Sequence, residues 1–285
     1  MKGYKAFNKG LVCRGKRYAE NTVFEEENAE ICKRGMHFCK NPFDVLDYYP
    51  LVDKEGNVTE FAEVEALDDV KTDDDKKFCT KKLKIGAKLS LSQFIKASLD
   101  VAIKSQAKVS DSAALIGDDD VTLIGDYRAK LIGDDDATLI GGVYAKLIGG
   151  CDTTLIGGNN AVLVGSAGAT LAGGVCATLA GGVCATLVGD NYAKLVGNNG
   201  ATLVGGDYTT LIGGDYATLA GGKNAVIVGD RGSTAKGKKG SIIVLIERDS
   251  DLNIVNFKAV QVDGKKIKED VLYKLENGEF VEVEE

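Results

Sequence analysis

The chain has 285 residues, of which 44% are hydrophobic, and 42 acidic against 35 basic side chains give it a net charge of −7. Its single histidine removes most acid–base schemes of catalysis. The sequence shows no nucleophile with a base, no phosphate loop before a helix and no paired carboxylates in a plausible cleft. We therefore expect a protein that is not an enzyme and that needs no cofactor.

No apolar run of 18 residues and no signal peptide is present, so we expect a soluble, cytoplasmic protein without a membrane partner. The chain has seven cysteines. An odd number in a long chain of this kind predicts free thiols.

Residues 1–106 are predicted to form an α+β N-terminal domain. Alternating apolar residues at Ala62, Val64 and Ala66, and again at Leu83, Ile85, Ala87 and Leu89, indicate half-buried strands. Asn41–Pro42 predicts a short capped helix that stops at Pro50. Ser90–Gln93 is a capping box that opens a second helix, with its apolar stripe at Leu91, Phe94, Ile95, Leu99, Ala102 and Ile103. We expect this helix to cap the region that follows.

The only histidine, His37, lies close to three cysteines, Cys13, Cys32 and Cys39. His37 and Cys39 are two residues apart and point to the same side of a strand, so a zinc site is one interpretation. The spacing matches no usual zinc pattern. The favoured interpretation is buried thiols beside an ordinary histidine, and these four residues remain weak metal candidates.

Residues 107–235 repeat an octapeptide, with Leu or Ile at every eighth position from Leu115 to Ile227 and a glycine two residues later. Eight residues supply one strand and one turn, which is typical of a β-solenoid. Alternation places Ala and Leu inside and Thr and Ile outside. The glycine ends the strand, where the chain needs positive φ or a close approach.

Substitutions show that the true period is sixteen. In every second octad, from Thr122 to Thr234, the residue before the Leu position is Thr, whereas the other octads have Lys130, Lys146 or Lys194, or a Val or Thr. We therefore predict a mainly β protein whose centre is a parallel β-solenoid, a two-sided β-roll of about 16 residues per coil. Eight coils would be about 38 Å long at ~4.8 Å per strand. A triangular coil of 24 residues is the weaker alternative.

The repeats are acidic: residues 111–230 contain 13 Asp and five basic side chains. With sixteen residues per coil, seven aspartates stack on one edge near the N-terminal end: Asp118, Asp119, Asp120, Asp134, Asp135, Asp136 and Asp152. They are solvated turn residues, an acidic strip that mimics the phosphates of a nucleic acid, or a calcium site. The absence of the calcium β-roll signature argues against the last.

Tyr144, Tyr192 and Tyr208 share one repeat position and one parity, so they are expected to line one edge. They either stabilise the ladder or form a recognition surface, and we include them among the partner-binding candidates. The outward rows of Thr and of Ile, Val or Ala are expected to form flat faces, which are covered by a partner or used for self-association. Ice binding, which also uses threonine arrays, is disfavoured in a cytoplasmic protein.

Residues 236–285 are predicted to be a C-terminal β cap. Ser241–Glu247 is an apolar strand, and Asp263–Gly264 and Asn277–Gly278 are expected hairpin turns.

Several segments carry a resemblance to a known group: Lys2–Lys9, Cys13–Gly15, Cys32–Pro42, and the tail with Ile242–Glu247 and the Asp263–Gly264 turn. They resemble uncharacterised proteins of bacteriophages and prophages in which such a domain precedes short Ala/Thr/Gly-rich repeats. This resemblance implies a viral origin and expression in a bacterial host, and it carries no active site. The architecture is also similar to that of pentapeptide-repeat inhibitors that imitate DNA.

The leading hypothesis is a non-enzymatic phage-type inhibitor. Its acidic solenoid would bind a basic surface on a host complex that handles nucleic acid or serves in defence, and it would not bind nucleic acid itself. The alternatives are a structural protein that self-assembles through its flat faces, and a ligand-sequestering or enzymatic N-terminal domain on a solenoid spacer.

Overall fold

A computed structural model describes residues 1–53, 57–105 and 114–283. The chain divides into two compact units, Met1–Ser105 and Gln106–Glu285. Among the helices described, none is long and apolar enough to cross a membrane.

The first unit is built on a seven-stranded antiparallel sheet in the order β4-β9-β6-β1-β5-β8-β7, beside a two-stranded ribbon of β2 and β3. Its elements are β1 (Lys2–Phe7), β2 (Val12–Cys13), β3 (Lys16–Arg17), β4 (Val23–Glu25), β5 (Met36–Cys39), a 3₁₀ turn (Phe43–Val45), β6 (Glu60–Ala66), β7 (Val70–Thr72), β8 (Lys77–Thr80), β9 (Lys82–Leu89) and α1 (Leu91–Ser105).

Local sequence explains most of these elements. The strands predicted around Val64 and Ile85 are β6 and β9, with both residues buried, although Ala87 is exposed beyond an irregularity in their pairing. The helix predicted after Pro42 is one 3₁₀ turn, whose first backbone N–H donates to the Asn41 side chain.

The capping box at the start of α1 is confirmed. Ser90 Oγ accepts from the Gln93 backbone N–H, and Gln93 Oε1 accepts from the Ser90 backbone N–H. Phe94 and Ile95 are buried, while the side chains of Leu99, Ala102 and Ile103 lie outside the described part of the chain. Residues 106–113 lie outside it as well, so the capping role of this helix stays a prediction.

The second unit is the predicted parallel β-solenoid. Each strand pairs with the strand sixteen residues on, as Leu115 does with Leu131 and Thr122 with Thr138. Within residues 114–237, sixteen four-residue strands therefore form eight coils. They are β10 (Ala114–Gly117), β11 (Thr122–Gly125), β12 (Lys130–Gly133), β13 (Thr138–Gly141), β14 (Lys146–Gly149), β15 (Thr154–Gly157), β16 (Val162–Gly165), β17 (Thr170–Gly173), β18 (Thr178–Gly181), β19 (Thr186–Gly189), β20 (Lys194–Gly197), β21 (Thr202–Gly205), β22 (Thr210–Gly213), β23 (Thr218–Gly221), β24 (Val226–Gly229) and β25 (Thr234–Gly237).

The interior of the solenoid is thin and uniform. In most coils the Leu of the strand and the Ala that ends the turn have almost no exposed surface and form one continuous core, as the alternation predicted; Leu115 and Leu123 in the first coil are partly buried. The strand-ending glycine also faces inward. A Cβ at Gly189 would lie 2.6 Å from the Ala193 Cβ and 2.7 Å from a Leu195 methyl. Close approach, and not positive φ, is therefore what this position requires.

The two octads of a coil form two different sheets. Even-numbered strands β10–β24 form one sheet, and odd-numbered strands β11–β25 form the other. The first sheet presents the lysines, and we call its outer surface the lysine face. The second presents threonine in every coil, and we call its outer surface the threonine face.

The C-terminal segment extends both sheets with four strands: β26 (Ile242–Arg248), β27 (Ile254–Gln261), β28 (Tyr273–Glu276) and β29 (Glu279–Glu282). Strand β26 continues the parallel pairing beside β24, and the three strands after it pair antiparallel. The hairpin predicted at Asn277–Gly278 joins β28 to β29. The hairpin predicted at Asp263–Gly264 was wrong, because this turn lies in the connection from one sheet to the other. Asp263 Oδ1 accepts three backbone N–H groups there.

Candidate functional site

The solenoid turns alternate between two edges. Turns 118–121, 134–137 and 150–153, and every second turn to 230–233, form one edge, which we call the acidic edge. Turns 126–129 to 238–241 form the other, which we call the tyrosine edge. Cys176 and Cys184 lie on opposite edges and are free thiols.

A shared backbone geometry exposes the side chains of these turns. The third residue of each turn has positive φ, between 53° and 61° where it is not glycine. At several second positions an Asn or Asp Oδ1 accepts the backbone N–H of the same position one coil on, as Asp135 does from Cys151 at 2.6 Å and Asn191 does from Asp207 at 2.8 Å. The third side chain is exposed in every turn where it is not glycine, and so are Asp118 and Asp134 at the first position.

The acidic edge places all seven predicted aspartates together. Asp118–Asp120 and Asp134–Asp136 occupy corresponding positions in adjacent coils, and Asp152 follows in the next coil. All seven side chains are exposed. Carboxylates in adjacent coils are about 5 Å apart along the ladder, where like charges repel.

Aspartates at the far end of the same edge behave differently. Asp215 accepts a 2.7 Å hydrogen bond from Arg231, and Asp230 accepts from Arg248 at 2.7 and 2.9 Å. The Arg248 guanidinium beside Asp230 holds the pKa of that carboxyl below its usual value. Within the described residues, none of the seven clustered aspartates forms such an ion pair.

Neither the calcium site nor the zinc site considered from the sequence has a suitable set of ligands among the described residues. Across residues 1–53, 57–105 and 114–283, no group of three or more His, Cys, Asp or Glu is arranged to hold a metal ion. The aspartate side chains point outward from a straight ladder, whereas calcium requires six to eight oxygens that converge.

The tyrosine edge holds the three predicted tyrosines, but not as one row. Tyr192 and Tyr208 stack with their ring centroids 5.1 Å apart. Tyr144 lies three coils away from Tyr192 and instead contacts Tyr127 edge-on, with ring centroids 5.9 Å apart. Tyr127 occupies a different repeat position, which is why the parity argument missed it. A positive φ raises the conformational free energy of a tyrosine by about 1–2 kcal/mol. Stacking of the rings offsets about 0.5–1.5 kcal/mol of this.

Only one of the two faces is open. On the lysine face, Ile132, Ile148, Val164, Val196 and Ile212 are 40–48% exposed. On the threonine face, the equivalent residues from Ile124 to Ala220 are only 1–8% exposed. The repeat sequence predicted two similar flat faces, because both octads carry Ile, Val or Ala at this position.

The N-terminal unit contains a pocket of about 530 Å³ that the sequence analysis did not predict. Its lining comes from β1, from the ribbon of β2 and β3, from the segment between β4 and β5, from β5, and from residues around Tyr48, Tyr49 and Lys77. Chain order does not reveal it, because it forms where β5 and β8 pair beside β1. All four metal candidates, Cys13, Cys32, His37 and Cys39, line this pocket.

Two of these four side chains, His37 and Cys13, already have hydrogen-bond partners. His37 Nε2 accepts the Cys32 backbone N–H at 3.0 Å, and the ring also bonds to the Gly35 backbone. Burial, assisted by the charge of Lys5, lowers the pKa of His37 to about 4. Cys13 Sγ accepts the Tyr49 hydroxyl at 3.0 Å, and burial raises the pKa of Cys39 to about 12. The favoured interpretation, buried thiols beside an ordinary histidine, fits Cys13 and Cys39, whereas Cys32 is exposed.

Comparison with known proteins covers only the first unit. Residues 1–97 match a family described as a domain of unknown function, DUF7666. Neither a curated protein nor a solved structure gives a significant match to the chain. The pocket lies inside the matched domain, and the solenoid lies outside it.

Proposed function

We propose that the protein is a non-enzymatic binding protein that presents the acidic edge of its solenoid to a basic surface on a protein partner. One observation carries the proposal. Seven exposed carboxylates cluster in three adjacent coils without ion pairs among the described residues, while Asp215 and Asp230 on the same edge are each paired with an arginine. The carboxylates of the cluster therefore repel one another, and the cations of a bound partner would relieve this repulsion.

The spacing of the charges favours a partner that binds nucleic acid. Successive coils place carboxylates about 5 Å apart in several parallel columns, and a DNA duplex carries about one phosphate charge per 1.7 Å of its axis. A basic groove shaped for phosphates would therefore meet a comparable row of anions. From the resemblance to phage and prophage proteins, we propose a nucleic-acid-handling or defence complex in a bacterial cytoplasm as the partner, with this protein as its stoichiometric inhibitor.

The proposal is tested by competition with DNA. Purified bacterial DNA-binding proteins are each loaded with a short fluorescent duplex, and release of the duplex is measured as this protein is added. The variant Asp118→Asn, Asp119→Asn, Asp120→Asn removes three charges from the cluster and keeps the side-chain shape. We expect the intact protein to release duplex from at least one of them, and the variant to be weaker by about tenfold or more at low salt.

The matched control removes three charges from the tyrosine edge through Asp126→Asn, Asp190→Asn and Asp207→Asn. Asparagine keeps the Oδ1 atom with which Asp207 accepts the Lys223 backbone N–H. This control is expected to compete like the intact protein. Equal loss of competition in both triple variants would show that competition depends on the net charge of the protein and not on the acidic edge. Release of no duplex by the intact protein would overturn the proposal.

Self-association is the second candidate, and the open lysine face favours it. If two copies pair antiparallel about Thr178, Lys130 faces Val226, Lys146 faces Thr210 and Lys194 faces Val162, so that no lysine faces a lysine. This follows from the sixteen-residue register. The role would then be structural, without a host target.

A further inference from the structure

We propose that the pocket of the N-terminal domain binds a small organic anion that carries a flat ring, and that the buried ammonium group of Lys5 is its anion-binding group. This site is independent of the solenoid edge and goes beyond the function proposed above.

Lys5 is the main evidence. It lies in the middle of β1 and is only 5% exposed. Its Nζ donates to the His37 carbonyl oxygen at 2.7 Å, bonds to the Cys13 side chain, and lies 5.5 and 5.6 Å from the ring centres of Phe7 and Tyr18. Across the described residues it forms no ion pair with a carboxylate.

A buried ammonium without a carboxylate partner is costly, because burial removes its hydration and nothing of opposite charge replaces it. The same burial lowers the pKa of Lys5. A methionine or leucine would fill this position without that cost. An anion that enters the pocket would supply the missing opposite charge.

The rest of the lining is also cationic. Six Lys or Arg residues and two Glu residues line the pocket. One of these glutamates, Glu26, is already bound by Lys16 at 2.9 Å. Arg14 donates one long bond of 3.4 Å, to the Cys32 carbonyl oxygen, and Lys77 lies over the ring of Tyr48. The excess of positive charge attracts an anion and opposes a cation.

Aromatic walls and size indicate what the anion is attached to. Tyr18, Phe38, Tyr48 and Tyr49 line the same pocket. Tyr18 and Phe38 are buried, whereas Tyr48 and Tyr49 are accessible, and accessible rings stack on flat ligands. The cavity of about 530 Å³ lies within the range of small-molecule sites, about 300–1,000 Å³, and is far larger than a bare ion requires. A ring that carries a phosphate or a carboxylate meets both requirements.

The test uses the full chain and four probes: adenosine 5′-monophosphate, 1-naphthoate, adenosine and inorganic phosphate. Binding is measured by calorimetry at pH 7 and by amide chemical shifts around residues 5, 13–18 and 37–39. At least one ring anion is expected to bind at micromolar to millimolar concentration, at least tenfold more tightly than adenosine or phosphate. The stronger of the two anions identifies the phosphate or the carboxylate as the preferred group.

The diagnostic variant is Lys5→Met, which removes the charge and keeps a side chain of similar length. We expect it to fold with a higher melting temperature than the intact protein, and to bind the ring anion at least tenfold more weakly. Lys81→Met, an exposed lysine outside the pocket, is the control and leaves binding unchanged.

Three outcomes overturn the proposal: neither ring anion binds, adenosine binds as tightly as its monophosphate and 1-naphthoate, or Lys5→Met binds as the intact protein does. If Lys5→Met does not fold, the chemical shifts of the intact protein decide. Shifts centred on the pocket support the site, and their absence excludes it. None of these outcomes depends on the aspartate variants of the solenoid.

Discussion

His37 is the one histidine of the chain, and its environment determines how it titrates. Burial, with the nearby charges of Lys5, Arg14 and Lys77, lowers its pKa to about 4. Its ring nitrogen accepts the Cys32 backbone N–H, which requires that nitrogen to be unprotonated. The sequence predicted an ordinary histidine beside thiols. It could not predict the pKa, because the cations that lower it come from β1, from the loop after β2 and from β8.

The lowered pKa predicts an acid-dependent loss of stability. An unfolded histidine takes up its proton near pH 6.5 and the folded one only near pH 4, so stability falls as the pH drops from about 6.5 to about 4. A shift of this size is worth about 3 kcal/mol on a fully buried group, and we expect about 1–2 kcal/mol for this half-buried ring.

Urea unfolding of the N-terminal domain at pH 7, 6, 5 and 4 measures this dependence. His37→Gln is the control, since an amide oxygen can accept the Cys32 backbone N–H and does not titrate. Its profile should be flatter than that of the intact protein by the same 1–2 kcal/mol. Parallel profiles of the two proteins would show that His37 contributes nothing to the pH dependence of stability.

The solenoid strand is the element that the sequence predicted best. The glycine two residues after each Leu, the inward Ala and Leu and the sixteen-residue parity all follow from spacing alone, and each is present in β11–β24. Spacing could not distinguish the environments of the two outer rows. Ile132 and Ile140 occupy the same octad position, yet the first is exposed and the second is buried.

The strand-ending glycine predicts a test of the thin core. Gly189→Ala places a methyl group 2.6 Å from the Ala193 Cβ, and crowding of this kind costs about 1–3 kcal/mol. We expect a lower melting temperature for the solenoid.

The matched control is a double-mutant cycle with Ala193→Gly, which removes the obstructing methyl. The double variant should be more stable than the sum of the two single effects predicts, by about 1 kcal/mol. Strict additivity would mean that Ala193 is not what excludes a side chain at position 189.

For the solenoid as a whole, the area of the lysine face allows two copies to pair, whereas the net charge of the chain opposes pairing. Counting four residues in each of its nine strands β10–β26, at ~4.8 Å per strand, the face spans an area of roughly 550–600 Å². Pairing two such faces would bury about 1,100–1,200 Å² in total, the lower limit for a specific interface. Each copy also carries a net charge of −7, which repels a second copy at low salt.

These magnitudes predict a monomer at micromolar concentration and about 0.15 M salt, with dimers increasing at high protein concentration or high salt. Light scattering across both ranges measures this. The variant Ile148→Lys, Ile212→Lys places four charges in the paired face of an antiparallel dimer, two from each copy. It should remain monomeric under all conditions, while Tyr192→Lys on the tyrosine edge should behave like the intact protein. A dimer of the intact protein that persists at nanomolar concentration and is lost in the isoleucine variant would favour the structural role over the acidic-edge proposal.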